Sequence, residues 1–228
     1  GAVVADTPSR IYECDIIMKI TPFKQNEASQ LKVGQTVISF MNVATMDEDV
    51  LSTLMRKRVT ALASAQIKDT DGMLPVVESM SEISGITSVL LASEYLSSAS
   101  GGKGVMLGGV TGVTPTEVII IGANTAGEYA ARAALGLGAI VRVFDASVHR
   151  LRNFQNLLGQ RIYTSTFHPQ VLQKALKSAD VLIGALSSDI LMPWFYVTEE
   201  MVQGMKRGSV IIDLSVDTGG CVETAEPR

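Results

Sequence analysis

VIIIGANTAGEYAARAALGLGAIVRVFD, residues 118–145, is the stretch whose reading decides the fold. A short apolar run, Val118 to Ile121, stops at Gly122, and a helix-like pattern follows Gly127. A strand, a tight glycine turn and a helix start together aim backbone N–H groups and a positive helix end at an anion. Gly122 fits the turn glycine of a pyrophosphate loop, and Gly127 the glycine that lets helix and strand pack closely. Ala126 and Ala130 keep the first helical turns slim. A second run, IVRVF (140–144), ends at Asp145, 23 residues after Gly122. An acidic residue there accepts hydrogen bonds from an adenosine ribose and repels a 2′-phosphate, which favours NAD over NADP. These features agree on a Rossmann-type dinucleotide unit, with Gly122, Ala123, Asn124, Thr125, Ala126 and Gly127 as its candidate cofactor loop. Arg150, five residues past Asp145, belongs either to that site or to a solvated helix face, and the same choice holds for His149.

One letter departs from G-x-G-x-x-G. The middle glycine lets the backbone approach the phosphates with no side chain between, and here it is Asn124. Asparagine tolerates positive φ better than most residues, so the turn is expected to survive. Its side chain is expected beside the pyrophosphate.

Working outward, strands are expected at 117–121, 139–144, 181–184 and 209–213, with helices near 125–137, 148–158, 169–178 and 198–206. Right-handed crossovers wind these into a doubly wound parallel sheet. Before them, SASGGKGVMLGGVTGVTP (98–115) holds six glycines and reads either as a linker or as a structured lead-in. Residues 76–97 read as one long helix, weakened by Gly85. In the first part, DIIMKI (15–20) and TVISFM (36–41) look like buried strands, and VTALASA (59–65) like a third. Between them Thr45 and Glu48 stand at capping-box spacing ahead of Val50, Leu54 and Met55. The alternation predicts a second, smaller parallel α/β unit.

Composition narrows the classes of function. With 46% apolar and 18% charged residues the chain is globular. A net charge of −4 gives no electrostatic case for nucleic acid or an anionic membrane as a partner. No apolar run reaches the roughly 18–20 residues of a membrane span. GAVVADTPSR at the start does not read as a secretory signal. Cys14 and Cys221 lack a pairing motif and read as reduced thiols of a cytoplasmic protein, while His149 and His168 have no ligand partner at metal spacing, so no metal is expected.

Several longer blocks carry a resemblance: MSEISG (80–85), GGKGVMLGGVTGVTPTEVIIIGA (101–123), ALGLGA (134–139), LRNFQNLLGQRIYT (151–164), ADVLIGA (179–185) and MKRGSVIIDLSVDTGGCVET (205–224). On these the chain resembles the alanine dehydrogenase and pyridine nucleotide transhydrogenase family, along nearly its whole length. The Arg-Ala-Gln loop of the transhydrogenase alpha subunit is absent before MSEISG, so alanine dehydrogenase is the nearer likeness. The resemblance implies part of a substrate domain over 1–75, a connecting helix over 76–98 and an NAD-binding domain over 99–228. It also implies a chain that begins partway into the substrate domain and stops near the end of the NAD domain. Family segments on either side, including an arginine for the substrate carboxylate, are then missing. The implied activity is reversible oxidation of L-alanine to pyruvate and ammonia with NAD, in a homo-oligomer.

Such chemistry needs a cation for the substrate and an acid/base pair. The family places a lysine in a Lys-x-Lys-Glu-Pro strand end, a histidine in Phe-Leu-His and an aspartate in Ile-Asp-Gln-Gly-Gly. By alignment with these, MKITPF (18–23) keeps Lys19 but has Thr21 at the second lysine, SFMNVA (39–44) has Asn42 at the histidine, and SVDTGG (215–220) keeps Asp217. Positions 19 and 21 of a strand lie on one side, about 6–7 Å apart. Lys19 is therefore the candidate replacement for the lost ammonium, against its reading as a structural charge. Asp217 either faces the nicotinamide or caps a turn before Gly219 and Gly220. The resemblance further places Ser81 near the nicotinamide or pyrophosphate, and Ala185 and Leu186 on the turn lining the cofactor crevice. Two alternatives stand beside the dehydrogenase. One is a catalytically inactive nucleotide-binding or oligomer-forming relative, and the other a transhydrogenase-like domain needing a membrane partner.

Overall fold

The computed structural model describes residues 1–43, 46–186 and 195–226. The chain divides into two compact units, Gly1–Glu78 and Ser79–Arg228.

The first unit runs α1 (Pro8–Ile11), β1 (Ile16–Lys19), α2 (Gln25–Ala28), β2 (Thr36–Ser39), α3 (Glu48–Arg56) and β3 (Thr60–Ala63). Its sheet has the order β1-β2-β3, all parallel, with Lys19 opposite Ser39 and Ser39 opposite Ala63. Ile17, Val37, Val50 and Leu54 close its core with Phe23 and Leu31. The sequence reads β1 as a buried strand, but only one of its faces is buried: Ile16 is 60% and Met18 76% exposed. Period-two alternation sends these residues to the face opposite Ile17. The N-cap of α3 is Asp47, whose carboxylate accepts from the Asp49 N–H; the Thr45 of the expected capping box lies outside the described residues.

The second unit contains most of α4 (Pro75–Leu96), then β4 (Glu117–Ile121), α5 (Thr125–Gly136), β5 (Ile140–Phe144), α6 (Val148–Leu158), β6 (Tyr163–Ser165), α7 (Pro169–Ser178), β7 (Val181–Gly184), α8 (Glu199–Gln203) and β8 (Val210–Asp213). Five parallel strands stand in the order β6-β5-β4-β7-β8. This is a doubly wound Rossmann sheet, whose strand order reverses between β4 and β7. The central strands are apolar throughout because both of their faces are covered. Val118 and Ile120 pack with Val89 of α4, Ala130 of α5 and Phe154 of α6, whereas Ile119 and Ile121 pack with Leu172 and Leu176 of α7.

The glycine-rich segment before β4 is a structured lead-in. Its N–H groups at Gly104 and Val105 donate to the Leu96 carbonyl, and the Gly108 N–H donates to the Thr116 hydroxyl. Lys103 reaches Asp180, just before β7, at 2.7 Å, and Lys206 reaches the same carboxylate at 3.1 Å. The Glu117 N–H donates to it as well. Burial alone would raise the Asp180 carboxyl, but the bonds from Lys103, Glu117 and Lys206 hold it below the ordinary aspartate range. No described helix is long and apolar enough to cross a membrane.

Candidate functional site

The carboxyl ends of β4 and β7 flank the point where the strand order reverses, and the glycine loop sits there. Gly122 has φ +115°, and a Cβ on it would collide with the Ala185 carbonyl oxygen beyond β7. A Cβ on Gly127 would collide with the Gly122 carbonyl oxygen, so α5 starts flush against the end of β4. Gly85 of α4 has the same relation to the Ala126 carbonyl oxygen. Ser81 lies one helical turn before Gly85 and shares its face, half-buried.

Asn124 does something the sequence does not disclose. Its φ is −112° and ψ −173°, extended backbone, so the tolerance of asparagine for positive φ is not what keeps the turn. It is the N-cap of α5: Oδ1 accepts from the Gly127 N–H at 3.0 Å while Nδ2 donates to the Ala185 carbonyl at 2.6 Å. Ala185 in turn donates its N–H to the Ile121 carbonyl. The carboxamide therefore ties the loops after β4 and β7 together across the crevice. Thr125 and Ala126 follow it, half-buried, and Leu186 follows Ala185.

Asp145 is buried at the end of β5 and is saturated by the chain's own donors. Oδ2 accepts from the Ala123 N–H at 2.8 Å; Oδ1 accepts from the Ser147 N–H at 2.7 Å and Arg150 Nε at 3.0 Å. The Arg150 guanidinium closes an ion pair with it through Nη2 at 2.9 Å. Asp145 and Arg150 thus form one group, and it locks the glycine loop to the start of α6. Arg150 also borders a depression of about 190 Å³, together with Asn124 and Asn153.

Asp217 is exposed on a short 3-10 turn, Val216–Thr218, beyond β8. Among the described residues its carboxylate has no partner and caps no turn. A residue that sequence reasoning passed over shapes this loop. Asp213 accepts from the Ser215 N–H (3.0 Å) and hydroxyl (2.6 Å) through Oδ1, and from the Cys221 (2.8 Å) and Val222 (3.1 Å) N–H groups through Oδ2. One half-buried carboxylate folds residues 213–222 into a ring with Asp217 at its tip. Cys221 lies fully buried beside it, and burial first, then the Asp213 charge, pushes its thiol well up.

In the first unit, Lys19 is paired. Its ammonium lies 2.7 and 2.5 Å from the two Glu27 carboxylate oxygens, donates to the Pro22 carbonyl and sits 5.5 Å from the Phe23 ring centroid. Burial works to raise the Glu27 carboxyl; the Lys19 hydrogen bond, the Lys24 N–H and both lysine charges outweigh it and hold the carboxyl low. Thr21 and Asn42 are exposed beyond the carboxyl ends of β1 and β2.

Strand order, glycine turn and the acidic residue following β5 together define a Rossmann-type α/β domain. The comparisons with known proteins give its family. The alanine dehydrogenase/PNT C-terminal domain matches residues 88–228 and the N-terminal domain residues 1–84. The chain belongs to the alanine dehydrogenase/PNT family. An alanine dehydrogenase of Mycolicibacterium smegmatis is 35% identical over 228 residues, all of this chain and 61% of that protein. One from Methanococcus maripaludis is 34% identical over 227 residues, 99% of this chain and 61% of that protein. A solved L-alanine dehydrogenase superposes with a TM-score of 0.84 at 33% identity, covering 100% of this chain and 63% of the other. A transhydrogenase from Sinorhizobium meliloti, at 24% identity and TM-score 0.78 over 96% of this chain and 64% of its own, shares the fold. The chain thus spans about three fifths of the length of the relatives it matches.

Proposed function

We propose that the chain carries the nucleotide-binding and part of the substrate-binding machinery of an NAD-dependent oxidoreductase of the alanine dehydrogenase type, acting between L-alanine and pyruvate plus ammonia. The observation that carries this is the glycine cradle. Gly122 and Gly127 leave no room for a side chain where the ends of β4 and β7 and the start of α5 meet. These close backbone contacts keep the turn tight and set the start of α5 against the strand ends, the arrangement that presents a helix N-terminus to a pyrophosphate. Gly122 to Gly127 would hold the pyrophosphate, Ser81, Ala185 and Leu186 would line the crevice, and Asp145 with Arg150 would take the adenosine ribose, for which the carboxylate would have to exchange one of its own donors for a ribose hydroxyl. Bound there, the nicotinamide supplies the hydride acceptor. Asp217, exposed at the carboxyl end of β8, is the candidate group to hold or move a proton at the substrate nitrogen. Lys19 remains the candidate cation for the substrate, in which role it would have to exchange its Glu27 contact for a substrate carbonyl oxygen.

That same contact favours a second reading, a nucleotide-binding relative without turnover. An ammonium held by a carboxylate at 2.5–2.7 Å is already satisfied, and Thr21 and Asn42 bring no group that titrates near neutral pH. Appearance of NADH absorbance from L-alanine and NAD separates the two. A flat trace from folded protein that binds NADH selects the second.

Cofactor choice follows from the Asp145–Arg150 pair. In the Asp145→Ala variant the guanidinium is released toward a 2′-phosphate, so affinity shifts from NAD toward NADP; an equal loss for both counts against the assignment. Self-association is part of this reading, supported by Ile83 (58%) and Leu90 (61%) exposed on α4, and light scattering tests it. The cytoplasm is the compartment it implies, with both thiols reduced.

A further inference from the structure

The glycine loop occupies the carboxyl end of the second unit's sheet; the amino end carries a cavity that the cofactor assignment leaves unused. It has a volume of about 490 Å³ and lies between the end of α4, the glycine-rich lead-in and the turn that enters β8. Two glycines set its walls. A Cβ on Gly102 would strike the Tyr95 carbonyl oxygen, so the lead-in turns back flush against α4. Gly208, at φ +75°, lies against Lys103, whose Cβ would be 3.1 Å from a Cβ placed there. The Leu96 carbonyl that ends α4 is taken by the Gly104 and Val105 N–H groups, which blunts the negative pole of that helix. Strand β8 is four residues long, so about 13 Å of strand separates this cavity from the loops at the carboxyl ends.

The charges at the cavity do not balance. Among the described residues no acidic side chain lines it. Lys103, half-buried in its wall, places its ammonium 2.7 Å from Asp180, and Lys206 shares that carboxylate at 3.1 Å. Arg207 is exposed on the wall, and among the described residues its guanidinium makes no hydrogen bond or ion pair. One carboxylate against three cations leaves two positive charges without a counter-charge. An ammonium has three N–H donors and Lys103 commits one to Asp180, while the planar fork of Arg207 is wholly unused. A phosphoryl dianion matches both the excess charge and the fork. The cavity is much larger than a bare phosphate, and Tyr95, 54% exposed, gives it an aromatic face. We propose that it is an anion site, separate from the glycine loop, for a small organic phosphate. The phosphoryl group lies between Arg207 and Lys103, and a flat organic part lies against the Tyr95 ring. This site stands independently of the dinucleotide reading, since it shares no residue with the loop.

The test is a calorimetric titration of inorganic phosphate and of phenyl phosphate into the whole chain and its Arg207→Gln and Tyr95→Leu variants. Arg207→Gln removes a charge that the fold does not use, and both probes are expected to bind roughly 10- to 100-fold more weakly. Tyr95→Leu keeps apolar volume and removes the ring. It is expected to weaken phenyl phosphate about 3- to 10-fold and to leave inorganic phosphate unchanged. A folded parent that binds neither probe overturns the site. Binding that Arg207→Gln leaves within about twofold of the parent also overturns it, and assigns the phosphate to the glycine loop instead. Phenyl phosphate binding unchanged in Tyr95→Leu overturns the placement of the organic part. Should a variant fail to fold, the Arg207 Nε–H resonance of the unaltered protein decides. Movement of that resonance as phenyl phosphate binds supports the site, and a stationary resonance in a bound complex overturns it.

Discussion

The two units meet the demands of their family in opposite ways. In Ser79–Arg228 the features that match the family pattern are backbone features: Gly122, Gly127 and Gly85 occupy places where a Cβ would strike a carbonyl oxygen. In Gly1–Glu78 the two positions that the resemblance assigns to a reactive lysine and histidine hold Thr21 and Asn42, both exposed at strand ends. The contrast teaches where change is tolerated. A glycine wedged against a neighbouring strand is required by the packing of the whole sheet, so replacing it damages the fold as well as the site. A lysine or histidine projecting from a strand end acts only through its chemistry, and the core of Ile17, Val37 and Leu54 forms without it. On the proposed reading, the nucleotide half is written in sterics and the catalytic half in side-chain identity.

The largest effect should come from restoring the second half. A Thr21→Lys, Asn42→His double variant returns an ammonium and an imidazole to the two strand ends. If those identities are what limits the chemistry, turnover of L-alanine should rise by about 10²–10⁴, the usual worth of a positioned acid–base group. The control is NADH affinity, which should stay unchanged. No gain in turnover by a double variant that folds and binds NADH would break the comparison, since the obstacle would then lie elsewhere than in these two side chains.

Next in size is Gly122→Ala. The new methyl meets the Ala185 carbonyl at a φ of +115°, adding strain to overpacking. A loss of about 2–4 kcal/mol in urea unfolding is expected, with loss of NADH binding. A stable variant would show that the end of β7 yields more easily than its contacts with β4 and β8 suggest.

How much of this was legible follows the same division. The strands at 117–121, 140–144, 181–184 and 210–213 stand out as apolar runs because both faces of the sheet are covered. Strand β6, Tyr163–Ser165, did not: three half-exposed edge residues leave no apolar signal. The places of Gly122 at the turn after β4 and Asp145 at the end of β5 were readable because a local motif sets their spacing. Asp180 and Asp213 were not, because their partners are fixed by folding. Lys103 is 77 residues from Asp180 in sequence, and Cys221 reaches Asp213 only once the loop has closed. The carboxamide of Asn124 likewise finds Ala185 across 61 residues, which no spacing rule anticipates.

The Asp180 knot gives a smaller, pH-dependent effect. Its folded pKa lies below the ordinary 3.8, so its contribution is fully present above that value and is lost as pH falls through the lower folded value. Asp180→Asn should cost about 1–3 kcal/mol at neutral pH, because Lys103 and Lys206 lose their counter-charge. The gap between parent and variant should narrow in acid. A gap unchanged between pH 6 and pH 3 would assign the loss to the glycine-rich lead-in rather than to the charge.

Smallest and most discriminating is Asn124→Gly, because it sets sterics against side-chain identity at a single residue. Glycine at an N-cap costs only a few tenths of a kcal/mol relative to asparagine, and the bond to Ala185 about 1 kcal/mol more. In return the Gly127 N–H is freed for a phosphate oxygen and the space beside it opens. If the nucleotide half is governed by backbone access, NADH should bind roughly 3- to 10-fold more tightly, the equivalent of one hydrogen bond near 1 kcal/mol. Weaker binding would mean that the carboxamide, by joining the loops after β4 and β7, holds the cradle open. Asn124 would then belong with Thr21 and Asn42, as a side chain whose identity, and not its bulk, decides what the site does.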